Sequence, residues 1–281
     1  MNHLTDVRPS ALAGRWYPAD PDRLANTVDD YLARASLPEI SGEILGVISP
    51  HAGHQYSGPV AGYAFATLHS LRPDLVVIAS PFHQAHSDGI LTSGHDGYQT
   101  PLGSVPVDQQ AVREVEQALE EKTGLGLTRI KRDNEHAVEI EIPFLQRVLS
   151  GEFSLLPLMI HQQDPEIMRT LGTILSKLLG DRKGLLVAST DLSHFYPAQE
   201  AEKLDQRIIA EIVNLNPRGL YQAEEEGKGY ACGKDALAAV LWAAKDLGAN
   251  RARHLKHSHS GEITGDNSRV VGYEAAVLLR E

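Results

Sequence analysis

Short apolar runs alternate with longer amphipathic stretches along the whole chain. The apolar runs predict strands, and the continuous ones are typical of strands buried on both faces of a sheet. They cover residues 44–49, 75–79, 89–93, 102–107, 153–160, 184–189, 253–260 and 269–279. The amphipathic stretches predict helices over residues 21–35, 59–71, 108–122, 165–179, 199–214 and 235–247. No repeat or low-complexity linker interrupts the alternation. The pattern therefore predicts one α/β domain over residues 1–281, with a central mostly parallel or mixed sheet flanked by helices.

One segment, residues 135–149, fits two patterns. Ile140 and Phe144 belong to an alternation typical of a strand, whereas Leu145 belongs to a helical spacing. The length of the segment favours a helix. Pro143 is then expected at a kink or in the first turn, because proline lacks the N–H that a helix interior uses.

Three of the predicted strands end in residues that could carry chemistry. His51 and His83 follow two of them, and Asp191 and His194 follow a third. Open α/β sheets place reactive groups at the carboxyl ends of their strands. If these strands are neighbours, the side chains share one edge, as a metal or acid/base site requires. The alternative is that each side chain only hydrogen-bonds its own turn, but recurrence at three strand ends favours a site.

Two further groups lie near these endings. A carboxylate such as Asp191, three residues from His194, can fix the tautomer of an imidazole; the alternative is a helix cap beside a surface histidine. Cys232 lies in a glycine-rich loop before a predicted helix. It could be a soft metal ligand, a nucleophile or a small buried apolar side chain, and the residues alone leave these open.

Other polar groups are expected at the surface. Glu135 and His136 open the ambiguous segment, where the plain interpretation is a solvated helix start. Near the C-terminus an exposed sheet edge is expected to carry three histidines: His254, His257 and His259.

Composition narrows the classes of function. The chain of 281 residues has a formal net charge of −11, which argues against nonspecific nucleic-acid binding. No apolar run is long enough to span a bilayer, and the first residues lack the pattern of a signal peptide. The single cysteine cannot form an intramolecular disulfide, so a cytoplasmic location is expected.

A series of short motifs extends along nearly the whole chain. In order they are Arg8-Pro9, Gly14 to Pro18, Pro50-His51-Ala52-Gly53, Tyr56-Ser57-Gly58, Pro81 with His83, Asn134-Glu135-His136 with Glu139, Pro143-Phe144-Leu145, Asp191-Leu192-Ser193-His194, Cys232-Gly233 and Gly272-Tyr273. Together they resemble the Memo protein family. The resemblance implies a fold similar to that of the class III extradiol ring-cleaving dioxygenases, which use non-haem Fe(II).

The resemblance also implies a site. Its metal position, two histidines and a cysteine, matches His51, His83 and Cys232. Asp191, His194 and His136 match the family's nearby pocket residues. His194 is then expected to act as general acid or base, and Asp191 to orient the imidazole of His136 or His194 or to hold a proton there.

Two positions depart from the family pattern, and the ligand set bears on the metal. Phe82 stands where a small polar residue is usual, and His54 where a tyrosine is common; both change the polarity of the pocket. A thiolate softens an iron site, so copper or zinc would bind as well as Fe(II).

These features together predict a metal-dependent redox protein with a dioxygenase-type pocket. The alternatives are a non-catalytic binding or scaffold protein and a zinc-dependent hydrolase. The expected ligand is a small molecule or a peptide. A radical-SAM protein is an expected pathway partner, because prokaryotic members of the family often occur alongside one.

Overall fold

The computed structural model describes residues 4–161 and 163–281. Its strands are β1 Val7–Arg8, β2 Glu43–Ser49, β3 Leu75–Pro81, β4 Ile90–Ser93, β5 Gly97–Thr100, β6 Gly103–Pro106, β7 Thr128–Ile130, β8 Ser154–Ile160, β9 Gly184–Ser189, β10 His194–Tyr196, β11 Arg251–His259 and β12 Val270–Arg280. Its helices are α1 Pro21–Arg34, α2 His54–Ala66, α3 Gln109–Thr123, α4 Ile142–Val148, α5 Pro165–Gly180, α6 Ala198–Val213, α7 Pro217–Glu225, α8 Lys234–Asp246 and α9 Gly261–Thr264.

A nine-stranded mixed sheet forms the centre of the molecule. Its order is β10-β12-β2-β9-β3-β8-β4-β7, and β11 pairs with β12. The four middle strands, β2, β9, β3 and β8, run parallel, whereas β12 and β4 flank them in antiparallel orientation. A separate small sheet has the order β1-β5-β6. The α/β fold with a mixed sheet flanked by helices confirms the prediction from the apolar pattern.

The parallel strands are buried because helices cover them. Every residue of β3 is buried, as its continuous apolar sequence predicts. Helix α8 packs against β3, β9 and β2, and α5 packs on α8. Helix α2 packs against β2, β11 and β12. None of the helices in the described ranges is long and apolar enough to cross a membrane.

Two helices begin elsewhere than the pattern predicts. Helix α2 begins at His54 and contains Pro59, whereas the prediction began the helix at Pro59. The proline lies beyond the first turn, which the N–H groups of Tyr56 and Ser57 close by bonding to Gly53, so the carbonyl of Gln55 lacks its intrahelical N–H donor. In the ambiguous segment a 3-10 turn, Glu139–Glu141, leads into α4, and Pro143 lies in the first turn of that helix as predicted.

Candidate metal centre

The parallel pairing of the middle strands brings their carboxyl ends together. Ser49 at the end of β2 lies opposite Ser189 at the end of β9, and the N–H of Thr190 donates to the carbonyl of Ser49 at 2.9 Å. Strand β3 pairs with the other side of β9. The loops that follow the three strands therefore meet at one edge of the sheet, as the strand endings predict.

Three imidazoles converge at this edge. His51, His83 and His136 each offer a ring nitrogen, and the three nitrogens lie within 4.8 Å of one another. The rings of His83 and His136 stack with centroids 4.5 Å apart, and both meet the ring of His51 edge-on, at 5.2 and 5.4 Å. His51 is buried, whereas 34% of the His83 side chain is exposed. The group therefore has a buried floor and an accessible side.

Glu135 holds two of these histidines. Its carboxylate accepts the main-chain N–H of His83 at 2.6 Å and the ring Nδ1–H of His83 at 2.9 Å. It also accepts the N–H groups of His136 and Ala137. Burial opposes ionisation of Glu135, but the hydrogen bonds from His83 outweigh it and lower the pKa to about 2. Glu135 is buried and precedes the 3-10 turn, so the expectation of a solvated helix start was wrong.

The surroundings keep two of the imidazoles, those of His51 and His136, neutral. Burial, followed by the neighbouring histidines, lowers the pKa of His51 well below its usual value. Burial also lowers the pKa of His136 to about 4, although the charge of Glu135 opposes this. The ring of Trp16 lies 4.4 Å from that of His136. Neutral imidazoles are the form that binds metal ions, so the electrostatics favour coordination over protonation.

Cys232 adjoins this group on the side of His51. Its Sγ lies 3.2 Å from Nε2 of His51, and the N–H of Asp191 donates to it at 3.3 Å. A side chain at Gly233 would come within 2.6 Å of the carbonyl oxygen of Ser189, so the absence of a Cβ lets this loop approach β9. Burial raises the pKa of the Cys232 thiol, which is therefore protonated at neutral pH.

Cys232 lies beside His51, as the motif match predicts, yet the third member of the histidine group is His136. His136 was predicted as a catalytic pocket residue and Cys232 as the third metal ligand. Both side chains border His51, and the identity of the third ligand stays a prediction.

Asp191 and His194 flank the group without belonging to it. Asp191 accepts the main-chain N–H of His51 at 2.8 Å, and burial raises its pKa to about 7. The expected hydrogen bond from Asp191 to the imidazole of His136 or His194 is replaced by this bond to the main chain. The Nδ1–H of His194 donates to the carbonyl of Leu192 at 2.8 Å, which leaves Nε2 as an acceptor. Burial lowers the pKa of His194.

A cavity of about 270 Å³ opens beside the group. His83 and Cys232 line it, together with Phe82, His161 and Lys234. His54 takes no part in the histidine group: it is buried, and its Nε2–H donates to the carbonyl of Ile140. Of the two departures from the family pattern, only Phe82 borders the cavity.

The sequence also held signals that were not recognised. Ser49 and Ser189 close the two apolar strands whose loops carry His51 and Asp191, and both serines hydrogen-bond to Glu141. A hydroxyl at the last position of an apolar strand was the available signal. No pattern marked Glu141, because it lies inside the ambiguous segment.

Comparisons with known proteins agree with the motifs. Residues 8–277 match the family model described as Memo-like protein. A MEMO1 family protein of Methanopyrus kandleri is 35% identical, covering 97% of this chain and 99% of its own. MEMO1 family proteins of Nitrosopumilus maritimus and Methanosarcina barkeri are 32% and 34% identical, each covering 97% of this chain and 100% of its own length.

Among solved structures, an uncharacterized protein from Escherichia coli K12 matches with a TM-score of 0.53. It is 14% identical in sequence, and the match covers 83% of this chain and 99% of that one. This likeness concerns the fold alone. The family match and the curated relatives, each spanning nearly the whole chain, show that this chain belongs to the Memo family.

Proposed function

We propose that this protein is a metal-dependent redox enzyme of the dioxygenase type, which holds a divalent ion, Fe(II) above all, at the edge of the sheet. The observation that carries the proposal is the convergence of three imidazoles, those of His51, His83 and His136, next to a cavity. Three imidazoles suit iron, copper and zinc alike. Copper and zinc are therefore the alternative metals.

The residues present fit such an ion by the chemistry of their donors. The Nδ1–H of His83 is engaged by Glu135, which leaves Nε2 to bind. A bound Fe(II) ion would supply one-electron chemistry with dioxygen. The chain's own residues would bind the ion, orient its ligands and admit a small molecule through the cavity lined by His83 and Cys232.

His194 and Asp191 supply proton chemistry in this proposal. His194 is neutral at physiological pH and its Nε2 carries a lone pair, so it can accept a proton as general base. Asp191, with its pKa near 7, can hold or release a proton in the same range.

A second function rests on the same observation. Three histidines with an open position also form a catalytic zinc set, in which zinc makes bound water acidic enough to attack a substrate. Metal analysis of protein purified without oxygen separates the two. Iron or copper, with oxygen uptake in the presence of catechols, supports the redox enzyme, whereas zinc with ester hydrolysis supports the hydrolase.

His51→Ala is expected to abolish tight metal binding while leaving the fold largely intact, because His51 lies in a loop beyond the end of β2. The matched control is His69→Gln, which changes an exposed histidine just before β3. Metal content by elemental analysis and circular dichroism are the measurements. Unchanged stoichiometry in the His51 variant would contradict the proposed metal centre.

A further inference from the structure

Below the histidine group lies a carboxyl with no opposite charge. Glu141 is buried at the end of the 3-10 turn. Its Oε2 is 2.9 Å from Oγ of Ser49 and its Oε1 is 2.6 Å from Oγ of Ser189. In the described ranges no lysine or arginine pairs with it, and burial raises its pKa to about 8. It is therefore a neutral acid near pH 7, able to donate to one serine and accept from the other.

Ser189 joins this acid to the histidine group. Its Oγ lies 3.0 Å from Nδ1 of His51, 2.6 Å from Glu141 Oε1 and 2.9 Å from the carbonyl oxygen of Ala137. A hydroxyl has one hydrogen to donate and two lone pairs. The carbonyl can only accept. Oε1 of Glu141 accepts when the proton of this acid lies on its Oε2 and is donated to Ser49. The hydrogen of Ser189 thus has two acceptors other than His51. The lone pairs of the Ser189 oxygen therefore remain to accept the Nδ1–H of His51.

The opposite side of His51 agrees with this assignment. Nε2 of His51 lies 3.2 Å from the sulfur of Cys232, and a thiol hydrogen there can be donated to Nε2 or to the carbonyl oxygen of Asp191, 3.5 Å away. When the thiol donates to Nε2, the imidazole hydrogen lies on Nδ1, as the contacts of Ser189 require.

We propose that Ser189 and Glu141 are positioning residues: Ser189 accepts the Nδ1–H of His51, Glu141 orients the Ser189 hydroxyl, and the Nε2 lone pair of His51 is thereby presented to the metal position. This proposal rests on the metal centre proposed above, and it deepens it by assigning the groups that set the tautomer of one ligand. Partners of this kind typically change metal affinity by about 10- to 100-fold.

The tautomer can be measured without a metal. In metal-free protein labelled with ¹⁵N-histidine, NMR is expected to show His51 protonated on Nδ1 and bare on Nε2; the signal is assigned by its loss in His51→Gln. A wild-type protein protonated on Nε2 would overturn the proposal.

Variants then test each partner. Ser189→Ala is expected to shift His51 toward the Nε2–H tautomer and to weaken Zn(II) binding by about 10- to 100-fold. The control Ser176→Ala removes another buried serine, whose hydroxyl bonds within α5, and should change neither quantity. Persistence of the Nδ1–H tautomer in Ser189→Ala would contradict the role of Ser189.

Glu141 is tested by a pair of variants. Glu141→Leu removes one acceptor of the Ser189 hydroxyl. His51 is then expected to show a mixture of tautomers, and the loss of Zn(II) affinity is expected to be smaller than in Ser189→Ala. Glu141→Gln can accept from Ser189 and donate to Ser49 like the neutral acid, so it should restore the wild-type tautomer. A wild-type tautomer in Glu141→Leu would overturn the role of Glu141. If wild-type protein bound no metal, the proposed function would fail, while the tautomer measurements would still decide this inference.

Discussion

At the scale of single residues, two side chains compete to be the third metal ligand beside His51 and His83. The nitrogens of His136 lie within reach of both histidines, whereas the sulfur of Cys232 is close to His51 alone among them. We therefore expect His136→Gln to weaken metal binding at least 100-fold and Cys232→Ser to weaken it less than tenfold. Calorimetric titration of both variants with Zn(II) measures this. The reverse order of losses would make Cys232 the ligand that the family resemblance implies.

His194 provides a separate residue-scale prediction. Because its Nδ1–H is bound to Leu192 and its ring lies outside the histidine group, it is expected to transfer protons without binding metal. His194→Gln should keep the full metal content and lose at least 100-fold in any turnover. Elemental analysis beside oxygen uptake separates these outcomes. Loss of metal from this variant would instead mark His194 as a ligand.

The residues that sequence reasoning found and missed differ in one physical respect. His51 and His83 follow apolar strands directly, so their place at the sheet edge could be inferred from chain order. Glu135 supports His83 from a segment 52 residues away, and Glu141 reaches Ser189 across 48 residues. Those contacts depend on how the segment before α4 folds over the sheet edge, which no local pattern encodes.

At the scale of elements, the loop between β9 and β10 is held from behind by α6. Asp205 on this helix is buried; it accepts the N–H of Ser193 at 2.9 Å and bonds to Nε2 of His257 at 2.8 Å. His257 was expected on an exposed edge, but only 9% of its side chain is exposed. The edge strand β11 is thus covered by α6 at this point. Through Asp205, His257 helps to hold the loop that carries Asp191.

Removing the Asp205 carboxylate should therefore loosen this loop. Asp205→Ala leaves the buried N–H of Ser193 without an acceptor and removes the partner of Nε2 of His257, and a loss of about 3 kcal/mol in the free energy of unfolding is expected. The control Asp30→Ala changes an exposed aspartate on α1 and should cost less than about 1 kcal/mol. Urea unfolding measures both. Equal losses in the two variants would contradict a structural role for Asp205.

The limits of element prediction follow from the same contacts. Long helices such as α3 and α5 match the predicted ranges, because periodicity and the capping residues Asp108 and Asp164 define them locally. The short helix α7 and the short strands β1, β5, β7 and β10 were missed. Strands of two to four residues carry too few positions for an alternation to be visible; β4 and β6, of four residues each, were predicted with the help of the Gly and Pro turns beside them. The missed strands exist through pairing with other segments of the chain.

At the scale of the whole molecule, alternation of strands and helices was enough to predict the α/β class, but not the strand order. The antiparallel insertion of β12 beside β2 joins the C-terminus to the first long strand, across more than 200 residues. Parallel pairing of β2, β9 and β3 follows from their connections through helices, which was predictable in kind. The order of these strands in the sheet brings His51, His83 and Asp191 together. That order is known only from the structure.

Burial of Glu141 in the middle of the molecule links the stability of the fold to pH. Burial, reinforced by the charge of Asp191 and opposed by the two serines, raises the pKa of this carboxyl from 4.5 to about 8. Between these values the folded protein binds a proton that the unfolded chain has released. The contribution of Glu141 to the free energy of unfolding is therefore fully present below pH 4.5 and is lost as the pH rises through 8.

Between pH 5 and 9 the wild-type protein is accordingly expected to lose stability on the order of 4 kcal/mol relative to Glu141→Gln, whose amide does not ionise. Subtracting the two unfolding curves cancels the histidines and the other acids, because both proteins share them. The control is Glu262→Gln, which changes an exposed glutamate on α9. Urea unfolding of metal-free protein at several pH values measures all three, and parallel curves for wild type and Glu141→Gln would show that the carboxyl is not held neutral by the fold.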